Sequence, residues 1–177
     1  MTETDLPVDQ ALLDQAMRLD AQLCFTLHAA SRAFDGLYRV TLREAGLTYP
    51  QYLVMLVLWE HGEVTVKELG RRLRLDSGTL SPLLKRLEAA GWVERRRSVE
   101  DERSVTVRPT GDGAELRDRM CAVPLRTMES TGIGLAEADE LRRRLSALTE
   151  SLDAATRRLA AAQPGSSGSP RSSDESD

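Results

Sequence analysis

A chain of 177 residues with 41% hydrophobic content can bury one sizeable core, and its 4% aromatic content favours helices over a sheet-rich sandwich. The formal net charge of −4 excludes a polypeptide that is basic throughout. Two cysteines far apart, no CxxC and only two histidines exclude a disulfide framework and a zinc-type ligand set, so neither metal nor cofactor is expected.

Residues 1–8 (MTETDLPV) read as a frayed end. Leu19, Leu23, Leu27, Ala30, Phe34 and Leu37 then recur at spacings of three and four, which predicts one long amphipathic helix from about residue 10 to Ala45, closed by Gly46. Cys24 lies near its start, in the apolar run AQLCFTLHAA, with His28 one turn on. Thr48 is placed to cap a second helix with Tyr49 and Pro50 in its first turn, and its body, YLVMLVLW, must be buried on most sides. After His61-Gly62, EVTV reads as a brief strand. VKELGRRLRL is amphipathic, with Val66, Leu69 and Leu73 on one face.

In DSGTLSPLLKRLEAAGW, Asp76 or Ser77 can cap a helix whose apolar positions are Leu80, Leu83, Leu84 and Leu87. Two helices joined by a tight turn, the second opening with small hydroxyl residues, form a helix-turn-helix pattern. Pro82 is tolerated because it falls near the first turn. WVERRR and SVTVRP, separated by SVEDER, form a hairpin with a charged tip, and the set makes a winged helix. Between Lys67 and Arg108 there are eleven basic and seven acidic residues, whereas residues 1–20 hold five acids and one arginine. Such a basic middle suits either a polyanion-binding face or a solvated helix surface.

From Gly111 a helix is predicted over AELRDRMCAVPLRTMES, then another from about Leu135. In the latter, Leu141, Leu145, Leu148, Leu152 and Leu159 keep a seam suited to a second subunit or to packing within the monomer. The tail from Gln163 (QPGSSGSPRSSDESD) has nothing to bury and reads as disordered. No leader and no apolar run long enough to span a bilayer are seen, so a cytoplasmic protein without a membrane partner is expected. The predicted fold is mainly α with a small β-wing. Residues 48–109 form the winged-helix lobe, 9–47 and 110–162 the dimerisation helices, and 163–177 the tail.

Taken in order, these elements resemble the MarR family of winged-helix repressors across residues 10–160, and Asp101-x-Arg103 matches that family's wing motif. LCFTLHAASRAF followed by LTYPQYLVMLVLWE is similar to the OhrR branch, whose members sense organic hydroperoxides. The resemblance implies a homodimer with two winged helices that releases double-stranded DNA when Cys24 is oxidised. It also implies that Tyr38 and Tyr49 hydrogen-bond the sensing sulfur across the dimer interface. Ser77, Thr79, Ser81, Lys85 and Arg86 become candidate base or phosphate contacts in the major groove. Arg95, Arg96, Arg97 and Arg103 would steer the wing, with Asp101 holding a wing arginine by a salt bridge. A two-fold dimer implies a pseudo-palindromic operator.

The chemistry is consistent with that reading. A thiolate attacks the peroxide O–O bond, phenolic hydroxyls stabilise it without adding charge, and the apolar neighbours Leu23, Phe25 and Leu27 suit an organic hydroperoxide. Two positions depart from the branch. His28 stands where tyrosine is common, and Cys121 precedes Val123-Pro124, whereas two-cysteine members carry their resolving cysteine several residues beyond that dipeptide. The preferred scheme therefore has a low-molecular-weight thiol cap the sulfenic acid, with Cys121 as the alternative resolving thiol. Competing readings are a repressor released by a small aromatic ligand, a thiol peroxidase using Cys24 and His28, and a structural nucleoid-binding protein.

Overall fold

A computed structural model describes residues 10–97 and 104–162; the expected frayed start, the acidic tail and the wing tip with Asp101 and Arg103 lie outside the described residues. The chain divides into two units, Met1–Ser130 and Thr131–Asp177.

The first unit begins with α1 (Gln10–Ala16), a 3-10 turn at Leu19–Ala21, and α2 (Leu23–Thr41). The single helix predicted here is therefore broken, although no glycine or proline marks the place. Arg18 and Gln22 adopt extended backbone. Arg18 grips Asp20 through Nε to Oδ1 at 3.0 Å and Nη2 to Oδ2 at 2.8 Å, and the Gln22 side-chain amide donates to the Ala16 carbonyl, one of those left open where α1 ends. The Gln22 amide thus satisfies one carbonyl that a continuous helix would have bonded, while the Ala21 and Gln22 N–H groups bond the Arg18 and Leu19 carbonyls in the 3-10 turn.

A second 3-10 turn, Arg43–Ala45, and a left-handed Gly46 lead into α3 (Tyr49–His61). Gln51 Oε1 accepts from both the backbone N–H (2.8 Å) and the hydroxyl (3.0 Å) of Thr48, which fixes the start of α3. As its sequence requires, α3 is the centre of the core, with Tyr52, Val54, Met55 and Leu58 at most 1% exposed. Around it lie Leu42, Leu69, Leu80, Leu84, Leu87 and Leu116, all similarly buried.

Next come β1 (Val64–Thr65), α4 (Val66–Leu73) and α5 (Ser77–Ala89). The α4–α5 turn passes through Arg74 in the left-handed region (φ +55°), and Leu75 N–H bonds the Gly70 carbonyl at 2.9 Å. A Cβ on Gly70 would stand 2.9 Å from the Leu75 carbonyl oxygen, so glycine lets the turn close against α4. Strands β2 (Val93–Arg97) and β3 (Val105–Pro109) complete an antiparallel sheet in the order β1-β3-β2. Val64 and Arg95 flank Val107 in register, and Val93 and Val107 point their side chains into the core.

The segment predicted as one helix after Gly111 is two: α6 (Gly111–Met120) and α7 (Val123–Thr131). Pro124 accounts for the break, because it offers no N–H to the Met120 carbonyl and its ring would collide with that carbonyl in a continuous helix. It sits instead in the first turn of α7, where the missing donor costs nothing.

In the second unit, α8 (Leu135–Ala162) is a helix of 28 residues that buries none of them. Arg142, Arg143 and Arg144 pair with Asp139 and Glu140 on its surface.

Candidate DNA-binding face and thiol site

Helix α5 separates its residues cleanly. Leu80, Leu83, Leu84 and Leu87 enter the core, while the predicted contacts Ser77, Thr79, Ser81, Lys85 and Arg86 are all exposed. Asp76, the first of the two candidate caps, accepts from Thr79 N–H at 2.8 Å and from the Thr79 hydroxyl at 3.1 Å. These bonds, that from the Thr79 backbone first, hold the Asp76 carboxyl below its usual range. Thr79 therefore both anchors the helix start and faces outward. Pro82 is the sixth residue of α5, in the second turn rather than the first, and the helix runs through it.

Carboxylates organise the wing. Arg95 of β2 reaches back to Glu88 of α5 through Nε (2.9 Å) and Nη2 (2.5 Å), so the hairpin is tied to the helix beside it. Glu94 accepts from Arg96 (2.9 Å) and, across the strand pair in register, from Arg108 (2.5 Å). Arg95 lowers the Glu88 pKa, and Arg108 chiefly lowers that of Glu94. Among the described residues Glu88 and Glu94 hold wing arginines, while Asp101, expected to do the same, lies outside them. Glu94–Arg108 was open to detection once the hairpin register was assumed, but Glu88–Arg95 joins a helix to a strand and left no local signal. Arg97 is exposed at the end of β2.

A second clasp holds the hairpin to α6. Thr110 N–H bonds the Trp92 carbonyl (3.1 Å), its hydroxyl bonds the Gly91 carbonyl (2.6 Å) and accepts from Gly113 N–H (3.0 Å). The Trp59 indole N–H donates to the Gly113 carbonyl at 2.8 Å. A Cβ on Gly113 would lie 1.9 Å from the Trp92 carbonyl oxygen, so the crossing admits no side chain.

The thiol site is split. Cys24, the second residue of α2, is exposed, and its Sγ lies 3.9 Å from Gln22 Oε1. The expected apolar surroundings are not formed within one chain: Leu23 is 60% and Phe25 42% exposed, and His28 is exposed as well. Tyr38 and Tyr49 do come together, their rings stacked at 4.3 Å and 20°, with Tyr52 tilted 5.9 Å from Tyr38. Burial first, then Tyr38 and Asp35, raises the Tyr49 pKa, so its hydroxyl remains a donor at neutral pH. Cys24 and Tyr38, however, lie fourteen residues apart on the same helix, a rise of about 21 Å. The phenols of one chain therefore cannot bond that chain's own Cys24.

Cys121 caps the C-terminal end of α6, exposed, and both cysteines are free thiols. Among the described residues no group of three or more His, Cys, Asp or Glu side chains could hold a metal ion, and no helix is long and apolar enough to cross a membrane.

A profile of the MarR family matches residues 47–105. The chain is 48% identical over 141 residues to the HTH-type transcriptional regulator TtmR of Methylorubrum extorquens, covering 80% of this chain and 72% of that one. It is 46% identical over 134 residues to the organic hydroperoxide resistance transcriptional regulator of Bacillus subtilis, covering 75% and 88%. Among solved structures, reduced AbfR bound to DNA superposes with a TM-score of 0.70 at 36% identity, covering 81% of this chain and 99% of that one. These relatives are regulators rather than enzymes, which removes the peroxidase reading. With the winged helix, its outward α5 and these similarities in place, the chain belongs to the MarR family of transcriptional regulators.

Proposed function

We propose that the protein is a dimeric repressor that senses organic hydroperoxides through Cys24 and then releases its operator. The observation that carries this reading is the separation of thiol and phenols. Cys24 stands exposed at one end of α2, and the stacked Tyr38–Tyr49 pair at the other, about 21 Å away, so a complete sensing site requires a second copy. Exposed Leu23 and Phe25 would be covered on that association and would give the sulfur the apolar setting an organic peroxide needs. The similarity to a Bacillus subtilis regulator of organic hydroperoxide resistance supports the inducer class.

In this reading residues 9–47 and 110–162 provide dimerisation and 48–109 the DNA-binding lobe. Thiolate attack on the O–O bond yields a sulfenic acid and an alcohol, and a low-molecular-weight thiol then caps the sulfur as a mixed disulfide with loss of water. Ser77, Ser81, Lys85 and Arg86 read or grip the major groove, while Arg97 and Arg103 extend the wing to the backbone. The test is operator binding by fluorescence anisotropy at fixed salt, for wild type and Cys24→Ser, before and after cumene hydroperoxide. Release of wild type alone is expected. If both proteins stay bound, or both release, oxidation of Cys24 is not the switch, and the aromatic-ligand reading takes its place.

A further inference from the structure

We propose that a charged groove between α2 and the start of α3 receives the small thiol that caps oxidised Cys24 of a second copy, and that Arg32, Arg39 and Asp35 select a thiol carrying an α-amino carboxylate. The inference rests on the peroxide reading above and adds to it the chemical class of the capping thiol.

A cavity of about 410 Å³ opens in this groove. That lies within the range of small-molecule sites, roughly 300–1,000 Å³. Leu47 and Pro50 give it an apolar side, and Arg32, Asp35 and Arg39 give it charge. The three charged residues stand at i, i+3 and i+7 of α2, so they share one face of the helix. All three are exposed. Asp35 is spaced to pair with either arginine, yet among the described residues none of the three forms an ion pair or a side-chain hydrogen bond. A Cβ on Gly36 would stand 3.9 Å from Arg39 Nη2, so this guanidinium lies back along the helix towards the turn that carries Asp35 and Arg32.

An α-amino carboxylate answers such a set. Its carboxylate accepts from the guanidinium groups, and its ammonium donates to Asp35. Two arginines against one acid leave a positive charge over, so the groove ranks an anionic thiol above a neutral one and a cationic thiol last. The groove also lies where the reaction needs it. Tyr49 lines it and stacks on Tyr38 at 4.3 Å, and this pair of phenols is where the second copy's sulfur arrives in the proposed sensor. After burial and Tyr38, Asp35 contributes to the raised pKa of Tyr49, so the carboxylate that would hold the ammonium is close to that phenol.

In the capping step the sulfur of the seated thiol attacks the sulfenic sulfur, an S–S bond forms and the S–O bond breaks. The departing hydroxide takes the thiol proton and leaves as water. The sulfenic sulfur is reduced and the incoming sulfur oxidised, so no further oxidant or reductant is consumed.

The test uses the full-length Cys121→Ser protein, in which Cys24 is the sole thiol, after a limiting dose of cumene hydroperoxide. One aliquot is trapped with dimedone to count the sulfenic acid. The rest is mixed with L-cysteine, mercaptopropionate, mercaptoethanol or cysteamine, and the mixed disulfide is followed by intact mass. Each rate is divided by that of the same protein carrying Arg32→Gln and Arg39→Gln, which cancels the thiol's own reactivity. The ratio should be about ten for L-cysteine and mercaptopropionate, near one for mercaptoethanol and below one for cysteamine. Asp35→Asn should slow capping by L-cysteine and not by mercaptopropionate. Arg43→Gln, which removes an exposed charge outside the groove, should leave all four rates unchanged. Equal ratios for the four thiols, or an Arg43→Gln loss as large as that of the double variant, would overturn the groove and leave the peroxide reading standing. Absence of a dimedone adduct on Cys24 would overturn both.

Discussion

Gly113 is the position where a single methyl group does most harm. Its missing side chain lets the Trp92 carbonyl pass within van der Waals range, and its own carbonyl receives the Trp59 indole, so one residue joins hairpin, α3 and α6. Gly113→Ala should cost about 3 kcal/mol, read as a lower urea midpoint at constant slope. An unchanged midpoint would mean the crossing is looser than described. Glu68 makes a prediction of a different kind. Arg71 first, then Arg72, holds its carboxyl near pKa 2, against an ordinary 4.5. A folded-state pKa depressed in this way gives stability that is full above about 4.5 and is lost as pH falls towards 2. Glu68→Gln should therefore lower stability at neutral and alkaline pH and remove the part of its acid dependence that falls across that window, read as urea midpoints followed by circular dichroism at a series of pH values.

At the scale of elements, two prolines behave in opposite ways. Pro124 ends a helix that apolar spacing alone would have carried through, whereas Pro82 sits in the second turn of α5 and the helix continues. Pro82 leaves the Gly78 carbonyl without its N–H partner, so Pro82→Ala should stabilise the domain by about 1 kcal/mol, measured as a raised melting temperature. A fall in that temperature would show that the ring's packing outweighs the lost bond. The caps Thr48 and Asp76 and the buried body of α3 were legible in the sequence because each depends on residues within one turn. The break at Arg18–Gln22 was not, since an ion pair and an amide bond, rather than a breaker residue, hold it. Nor was Glu88–Arg95, where seven residues and a change from helix to strand separate the partners. The candidate sensor was legible only as residue identities: the chain itself brings Tyr38 to Tyr49 but holds Cys24 apart.

For the whole molecule, the leucine seam of α8 bears on assembly. Leu141, Leu152 and Leu159 are 47%, 57% and 67% exposed, an apolar row on a helix whose residues 139–144 carry ion pairs. If this row forms the interface of the proposed dimer, Leu152→Glu should give a monomer in sedimentation velocity where the wild type gives a dimer. It should also weaken operator binding by roughly a hundredfold, because two half-sites would no longer be bound together. Retention of dimer and affinity would place the interface elsewhere.

The length of α2 sets a rule of inheritance for the proposed sensor. With thiol and phenols at opposite ends of one helix, each working site draws its sulfur from one polypeptide and its hydroxyls from the other. A Cys24→Ser chain and a Tyr38→Phe, Tyr49→Phe chain are then each defective alone, yet a mixed pair rebuilds one complete site. Co-expressed, the two broken alleles should complement and restore peroxide-induced release, whereas a sensor contained within each chain would leave the mixture as unresponsive as its parents.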